Sequence, residues 1–251
     1  MLNIKSMKTQ LILYLACLAV FIALKDKNTG FIGVIFTAVL SAGLIESGII
    51  FLKKKIFQIS ESSIITGLII GYVISSNEAW LKIVFASALA ILSKYLIRFR
   101  HRHIFNPAGF GLFLSTIFIG VSLEWKGTYL WYILIPFGFY FVYRIKRIAL
   151  LLGYVFISLS LFLTQAVLNS YSLPGIFYYF SYFYIFIMLI EPKTTPVEIL
   201  PQCLFGALTA VLAFVLTEIR VSFDVEIFSL LVLNASVPLL NLLSTKKGGL
   251  S

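Results

Sequence analysis

Ten apolar runs follow one another along this chain, and the connections between them are too short to form a separate soluble domain. The runs cover residues 9–24, 31–52, 62–76, 79–97, 105–121, 128–143, 148–168, 174–190, 197–217 and 225–243. Only 12% of the 251 residues are charged, whereas soluble domains carry about 25%. The pattern predicts an all-α polytopic membrane protein. Several runs, above all 62–76, are shorter than the ~20 residues of a standard span, so some segments are expected to be tilted, broken or partly re-entrant.

The basic residues predict an orientation for these runs. If every run crosses the membrane and the N-terminus is cytoplasmic, fifteen of the 20 Lys and Arg residues lie on the inner side. Such a bias favours ten crossings with both termini inside. It also accounts for the net charge of +10 without a nucleic-acid partner. The inner residues are Lys5, Lys8, Lys53, Lys54, Lys55, Lys94, Arg98, Arg100, Arg102, Arg144, Lys146, Arg147, Lys193, Lys246 and Lys247.

Ten crossings divide into two halves of five, over about residues 9–121 and 128–243. An odd number of crossings per half makes the second half enter the membrane in the opposite orientation. The chain 1–251 is therefore predicted to be a single membrane domain of two inverted five-helix repeats. The last run of each half contains an asparagine and a proline, at Asn106 and Pro107 and at Asn234 and Pro238.

Glu46 lies well inside the second apolar run, and Lys94 lies near the inner end of the fourth. An ionised carboxylate at membrane depth costs at least ~2.5 kcal/mol on insertion scales, so Glu46 should face protein or water, pair with a cation, or be protonated. One interpretation is a cation or proton site, on an ion pathway that includes Lys94 and Glu191. The other is a carboxylate close enough to the inner interface to reach water or Lys54.

Helix-breaking and polar residues mark two further positions. Thr66 and Gly67 form a Thr-Gly step at the opening of one apolar segment. Asn106 and Pro107 begin another, where an asparagine cap followed by proline makes an ordinary helix start. The basic loop 98–103 directly upstream favours a second interpretation, in which this helix start binds an anionic group such as phosphate.

The basic loop itself contains three arginines and two histidines, His101 and His103. Metal-binding histidines normally share their site with further histidine, thiol or carboxylate ligands. These two have no acidic or thiol neighbour in the loop. They are therefore predicted to belong to a solvated basic face, and no metal is expected.

The connection from Glu191 to Pro196 contains two prolines around Lys193, Thr194 and Thr195. Prolines on both sides of hydroxyl residues make a rigid turn, which is the simpler interpretation. The same turn presents two hydroxyls, a carboxylate and an ammonium, a suitable rim for a cofactor or an ion path. Because polar groups in lipid lack partners, Asn106, Thr66, Glu46, Thr194 and Asn234 are expected to converge inside the bundle.

Taken in order, these motifs resemble the RnfD/NqrB membrane family, whose members belong to the Rnf electron-transport complex and the Na+-translocating NADH:quinone reductase. The resemblance covers about residues 35–243. It rests on Glu46, Ser63, Thr66-Gly67-Leu68, Lys94, Phe105-Asn106-Pro107-Ala108, Glu191-Pro192 through Pro196, Glu226, Asn234, Pro238 and Leu239.

This resemblance implies an integral membrane subunit of a redox-driven, ion-translocating complex in a prokaryotic plasma (inner) membrane. The partners it implies are other membrane and flavoprotein subunits and the membrane lipid. It gives the chain no catalytic residue of its own, so the chain is at most a non-catalytic or electron-transferring subunit of an oxidoreductase.

One departure concerns flavin. The family's Ser-Gly-Ala-Thr motif, whose threonine carries phosphoester-linked FMN, has no counterpart in the short connection 121–127. Covalent FMN is therefore not expected, while the resemblance still allows a noncovalent flavin, either FMN or riboflavin. The cofactor-binding residues it implies are Thr66, Gly67, Asn106, Pro107, Thr194, Thr195 and Asn234. The alternative function is a small-solute secondary transporter or channel, because the family's fold is similar to that of urea transporters.

Overall fold

The structure, a computed structural model, describes residues 6–99, 102–169 and 175–245. Its helices are α1 (Met7–Asp26), α2 (Thr29–Lys54), α3 (Glu61–Val73), α4 (Trp80–Leu96), α5 (Pro107–Ile119), α6 (Trp131–Arg144), α7 (Ile148–Asn169), α8 (Ile176–Tyr179), α9 (Ile199–Glu218) and α10 (Val225–Thr245). Five residues of the predicted basic loops lie outside the described residues: Lys5, Arg100, His101, Lys246 and Lys247.

The predicted helical architecture is confirmed, with one small addition. Strands β1 (Arg98–Phe99) and β2 (Arg102–His103) pair in a two-stranded hairpin within the basic loop. Among the described residues, five helices, α1, α2, α7, α9 and α10, are long and apolar enough to cross a membrane. Helices α3 and α5 are apolar but shorter. The count of ten crossings and the inverted repeat remain predictions.

The run 174–190 does not form a single helix. Helix α8 ends at Tyr179, Phe180 has extended backbone, and the chain then forms a π-helical segment, Tyr184–Met188. Aromatic side chains lose rotamer freedom against the preceding helical turn, and this run is rich in them. In contrast, the shortest run, 62–76, contains a continuous helix of 13 residues, α3, which the Ser60 side chain caps.

The chain forms two compact units. Unit 1 comprises Met1–Arg98 and Pro107–Gly127, and unit 2 comprises Phe99–Asn106 and Thr128–Ser251. In unit 1, α2 packs against α3 and α4, α4 packs against α5, and α1 packs against α3. In unit 2, α7 packs against α9, α9 packs against α10, and α6 packs against the π-helical segment.

Glycines allow two of these helix pairs to approach closely. A Cβ atom on Gly67 of α3 would lie 2.6 Å from the Val39 Cα of α2. A Cβ atom on Gly206 of α9 would lie 2.2 Å from the Leu150 carbonyl oxygen of α7. Small residues at such contacts are typical of membrane helix packing, where close backbone approach supplies the attraction.

The loop after α3 and the loop after α5 pair with each other in unit 1. The Ser75 N–H donates to the Ser122 carbonyl at 2.9 Å, and the Glu124 N–H donates to the Val73 carbonyl at 2.7 Å. These bonds tie together the ends of two helices that are too short to cover a full membrane thickness. The two loops therefore act as one structural element.

Two carboxylates reinforce this loop pair. Glu78 accepts the Ser122 N–H at 2.7 Å and lies 3.1 Å from the Lys82 ammonium, while Glu124 accepts the Ser76 N–H at 3.2 Å. Burial acts to raise the pKa of Glu78, but the Ser122 hydrogen bond and Lys82 outweigh it and lower that pKa. The charged form of Glu78 is thus the one that stabilises the loops.

Candidate functional site

Unit 1 contains a polar group of five residues around two buried charges, here called the Glu46 cluster: Glu46, Ser60, Ser62, Lys94 and Tyr95. The Lys94 ammonium lies 3.5 Å from Glu46 Oε1 and donates to the Ser62 hydroxyl at 3.1 Å. The Tyr95 hydroxyl donates to Glu46 Oε1 at 3.2 Å, and the Ser60 hydroxyl donates to Glu46 Oε2. Glu46 is 5% exposed and Lys94 is 7% exposed. Glu46 is thus buried and paired with Lys94 rather than with Lys54, and its predicted role on an ion pathway remains a prediction.

The start of α3 positions this cluster. Ser60 accepts the Ser63 N–H at 3.0 Å as the N-terminal cap of α3 and also donates to Glu46. The carboxylate therefore lies close to the positive end of a helix, which favours negative charge. Lys94 lies in the last turn of α4, where its long side chain reaches the carboxylate. The sequence predicted Glu46 and Lys94, but nothing in it marked Ser60, Ser62 or Tyr95.

Thr66 and Gly67 lie in α3 beyond this cluster. The Thr66 hydroxyl donates to the Ser62 carbonyl of its own helix at 2.8 Å, an ordinary contact for threonine in a membrane helix. The backbone of α2 lies directly against Gly67. Helix packing thus accounts for the glycine, and the predicted cofactor role of both residues remains a prediction.

Unit 2 contains a second buried group, here called the Asn106 cluster: Asn106, Met188, Thr194 and Asn234. The Asn106 N–H donates to Asn234 Oδ1 at 2.9 Å, and the Asn106 side-chain amide donates to the Met188 carbonyl at 3.2 Å. The Asn234 side-chain amide donates to the Thr194 carbonyl at 3.0 Å. All three polar side chains, of Asn106, Thr194 and Asn234, are buried.

The Asn106 cluster supplies hydrogen-bond partners to backbone groups that lie outside regular helix. Asn234 lies near the middle of α10, so its partners lie at the depth of a helix centre. Met188 ends the π-helical segment, and Thr194 belongs to the turn that follows it. Irregular backbone at such depth occurs where protein groups supply its hydrogen bonds, often beside ligand sites.

Two side chains from outside the turn, His103 and Arg147, contact the turn from Glu191 to Pro196. His103 Nε2 lies 3.2 Å from Glu191 Oε1. Arg147 donates from Nε to the Thr195 hydroxyl at 2.9 Å and from Nη2 to the Pro192 carbonyl at 3.1 Å. Thr195 in turn donates to the Glu191 carbonyl at 2.8 Å. The simpler interpretation of this segment, a rigid turn, fits these contacts.

Sequence reasoning was wrong about one basic residue at this turn, His103, and did not identify another, Arg147. His103 is buried beside Glu191, so the prediction of a solvated face was wrong for this residue, because its acidic partner lies far away in sequence. Arg147 is buried, and it donates to a hydroxyl and to carbonyl oxygens. Burial, together with the nearby positive charge of Arg102, lowers the pKa of Arg147. Nothing in the sequence marked Arg147 as different from other loop arginines.

Of the five residues predicted to converge, three meet in unit 2, namely Asn106, Thr194 and Asn234. Glu46 and Thr66 belong to unit 1. Pro107, the first residue of α5, also belongs to unit 1, directly after Asn106.

Comparison with known proteins adds no family to this description. No protein-family model matches the sequence, and no curated protein matches it. Function must therefore be inferred from the two clusters and from the residues that carry the family resemblance.

Proposed function

We propose that this chain is an integral membrane subunit of a redox-driven electron-transport and ion-translocating complex in a prokaryotic plasma membrane. One observation carries the proposal. Five of the polar residues that resemble the RnfD/NqrB family fall into two clusters, with Glu46 and Lys94 in one and Asn106, Thr194 and Asn234 in the other. The proposal rests on this grouping together with the order of the motifs along the chain.

The Glu46 cluster suits the ion-translocating part of the proposal. Ionisable residues at membrane depth are costly, and by default they mark ion or proton pathways. The Glu46 carboxylate has an ammonium and two hydroxyl donors within reach. Movement of Lys94 towards Ser62, to which it already donates at 3.1 Å, would leave the carboxylate oxygens of Glu46 open to a passing cation. Glu191, paired with His103, is proposed as a further residue of this pathway.

A noncovalent flavin fits the residues of unit 2 better than those of unit 1. Arg147 and Arg102 place positive charge beside the turn that contains Thr194 and Thr195, which suits a phosphate group such as that of FMN. Asn106 and Asn234 border the same turn. In unit 1, Gly67 is already covered by α2. When bound, a flavin would supply the electron-carrying chemistry, and these residues would position its polar groups.

The absorption spectrum of the protein purified in detergent tests the redox proposal. We expect a flavin spectrum that is lost when the protein is denatured and the small molecules are removed. On denaturing electrophoresis the protein band should not fluoresce, because covalent attachment is not expected. Arg147→Gln should lower the flavin content, whereas Arg144→Gln, at the exposed end of α6, is the matched control. A colourless protein that co-purifies with no redox partner would refute the proposal.

A small-solute transporter or channel is the second candidate, and the helix packing favours it. The contacts of α2 with α4, α4 with α5 and α1 with α3 in unit 1 have counterparts in unit 2. These are α7 with α9, α9 with α10 and α6 with the π-helical segment. Such correspondence supports a five-helix repeat, a common basis of transporter folds. Urea flux into liposomes that contain the purified chain alone would favour this candidate over the redox subunit.

Thiol labelling in intact cells tests the proposed orientation. The native cysteines, Cys17 and Cys203, are exposed and are first replaced by serine. Single cysteines near Lys54, Arg100 and Lys146 should then resist an impermeant reagent. Labelling of any one of them from outside would contradict cytoplasmic termini and ten crossings.

A further inference from the structure

The end of α2 carries three adjacent lysines, Lys53, Lys54 and Lys55, and all three are exposed. Lysines in a last turn complement the partial negative charge of a helix C-terminus, which is the ordinary reason for one or two of them. Among the described residues, no carboxylate forms an ion pair with any of the three. The end of α2 is therefore a local concentration of positive charge without a counter-charge from the protein.

Two of these ammonium groups lie over aromatic rings. The Lys53 Nζ atom is 4.6 Å from the ring centroid of Tyr95 in α4, and the Lys55 Nζ atom is 5.8 Å from the ring centroid of Phe51. Such contacts attract an ammonium to the face of the ring and leave its positive charge in place. The lysines thus present their charges at defined positions beside the helix end.

The loop after α2 turns back along the side of that helix. Lys55 has left-handed backbone at the helix end, and the Ser47 hydroxyl donates to the Gln58 carbonyl at 3.0 Å. Ile59 then lies beside Gly43, where its Cγ2 atom would be 3.8 Å from a Cβ atom. Because Gly43 is 12 positions before Lys55, the loop returns along about 18 Å of helix.

The side chains that this loop exposes are mainly apolar. Ile56, Phe57 and Ile59 are each more than half exposed. Together with the three lysines they form one surface, here called the α2 surface, which is basic at the helix end and apolar along the flank. Phospholipids have the same two-part chemistry, a charged headgroup above apolar chains, and mixed basic and apolar surfaces are typical of lipid interfaces.

The length of α2 agrees with a headgroup position for the lysines. Its 26 residues span about 39 Å. A bilayer has a hydrocarbon core about 30 Å thick and measures about 40–45 Å with its headgroup regions. Where a helix of this length crosses, its ends lie at the level of the lipid phosphates. Each lysine near an anionic lipid surface strengthens binding by about 5-fold.

We propose that the α2 surface binds an anionic phospholipid, with the headgroup phosphate at the three lysines and an acyl chain against the apolar side chains of the loop. A zwitterionic phospholipid carries the same phosphate, but its own positive group is repelled by the lysines, so the surface discriminates by net charge. The site does not depend on the redox role proposed above, because it requires no flavin and no partner protein.

Lipid titration of the purified full chain in nonionic detergent tests the α2 surface. Phosphatidylglycerol and phosphatidylcholine with the same acyl chains are added to separate samples, and the Tm is followed against lipid concentration. We expect a saturable rise with phosphatidylglycerol, at a lower apparent Kd than with phosphatidylcholine, and a smaller difference between the two lipids at high ionic strength.

Two variants separate the headgroup contact from the acyl-chain contact. The double variant Lys53→Gln with Lys54→Gln should raise the apparent Kd for phosphatidylglycerol by about 10- to 30-fold, since each lysine contributes about 5-fold. It should leave the apparent Kd for phosphatidylcholine unchanged. Phe57→Ser removes apolar contact and should weaken the binding of both lipids by a similar factor.

The matched control is Lys25→Gln with Lys27→Gln, which removes two exposed lysines at the opposite end of α2. Asp26 separates these lysines in the sequence, and the control should leave the lipid response unchanged.

Equal apparent Kd values for the two lipids would overturn the proposal. So would an unchanged response in the lysine double variant, or a loss in the control as large as in that variant. A Tm rise with glycerol 3-phosphate that matches phosphatidylglycerol would assign the lysines to a free phosphate ester instead of a lipid. A rise with polyglutamate in place of phosphatidylglycerol would assign them to an acidic protein segment, and either result would refute lipid binding.

Discussion

Replacing Lys94 with methionine would leave the Glu46 carboxylate in a buried site without its ammonium. The two charges lie 3.5 Å apart, which at an effective dielectric constant of about 20 corresponds to an attraction of about 5 kcal/mol. Breaking a buried pair by removing one partner costs about 3–5 kcal/mol. Because Tyr95 and Ser60 still donate to Glu46, we expect Lys94→Met to cost about 3 kcal/mol, at the lower end of that range.

Thermal unfolding in detergent, followed by circular dichroism, measures this cost. For a chain of this size, about 3 kcal/mol corresponds to a Tm lower by about 6–12 °C. The double variant Glu46→Gln with Lys94→Met removes both charges, and it should recover most of the loss because no buried charge remains unpaired. The control is Lys82→Met at the partly exposed pair with Glu78, where about 0–1 kcal/mol is expected. A Lys94→Met variant as mild as this control, or a double variant that loses the sum of both single effects, would refute the reasoning.

Three further perturbations have definite expected outcomes. Asn234→Leu leaves two buried backbone groups of unit 2 without partners, at about 1–3 kcal/mol each, and the Tm should fall accordingly; an unchanged Tm would contradict the pairing. Arg147→Lys cannot reproduce the planar contacts of the guanidinium, so amide exchange across residues 191–196 should accelerate while exchange in unit 1 stays constant. Acidification should loosen the paired loops of unit 1. The pKa of Glu78 is lowered in the folded protein, so its carboxylate stabilises the fold above the usual glutamate pKa. This stabilisation is lost as the pH falls through the lowered pKa. Glu78→Gln should lose the Glu78 share of that pH dependence and keep the share of Glu124, whose pKa is also lowered because hydrogen bonds from Lys126 and Ser76 outweigh burial; thermal unfolding between neutral pH and about pH 3 would measure both.

Hydrophobic length predicted most helices well. The run 148–168 became α7 and the run 225–243 became α10, each within two residues at either end. A long apolar segment satisfies its backbone polar groups in lipid only by forming a helix, so such runs leave little choice. The run 174–190 is also a long apolar segment, but its helix ends at Tyr179 and the backbone of Phe180 is extended. The hydrogen bond from Asn106 to the Met188 carbonyl replaces part of the lost helical bonding, and that partner is 82 positions away in sequence.

The candidate site was predicted only in part, because its contacts join residues that are far apart in the sequence. Asn106 and Asn234 were identified because polar residues are conspicuous in apolar runs, but their direct contact joins positions 128 residues apart. Arg147 and His103 sit in loops, where basic residues are ordinary. Only the fold reveals that one holds a turn and the other faces Glu191.

The two clusters differ in how firmly their members are held, and this difference divides the proposed roles between them. The Asn106 cluster consists of neutral hydrogen bonds of 2.9–3.2 Å to fixed backbone, all near the ordinary distance. The Lys94 ammonium is 3.5 Å from Glu46 and nearer to Ser62, whereas a tight ammonium–carboxylate contact is about 2.7–2.9 Å. The ammonium thus lies between a carboxylate and a hydroxyl and is not in tight contact with the carboxylate. Ion exchange is therefore expected at the Glu46 cluster, while the Asn106 cluster serves as a rigid joint that holds the broken segment in place.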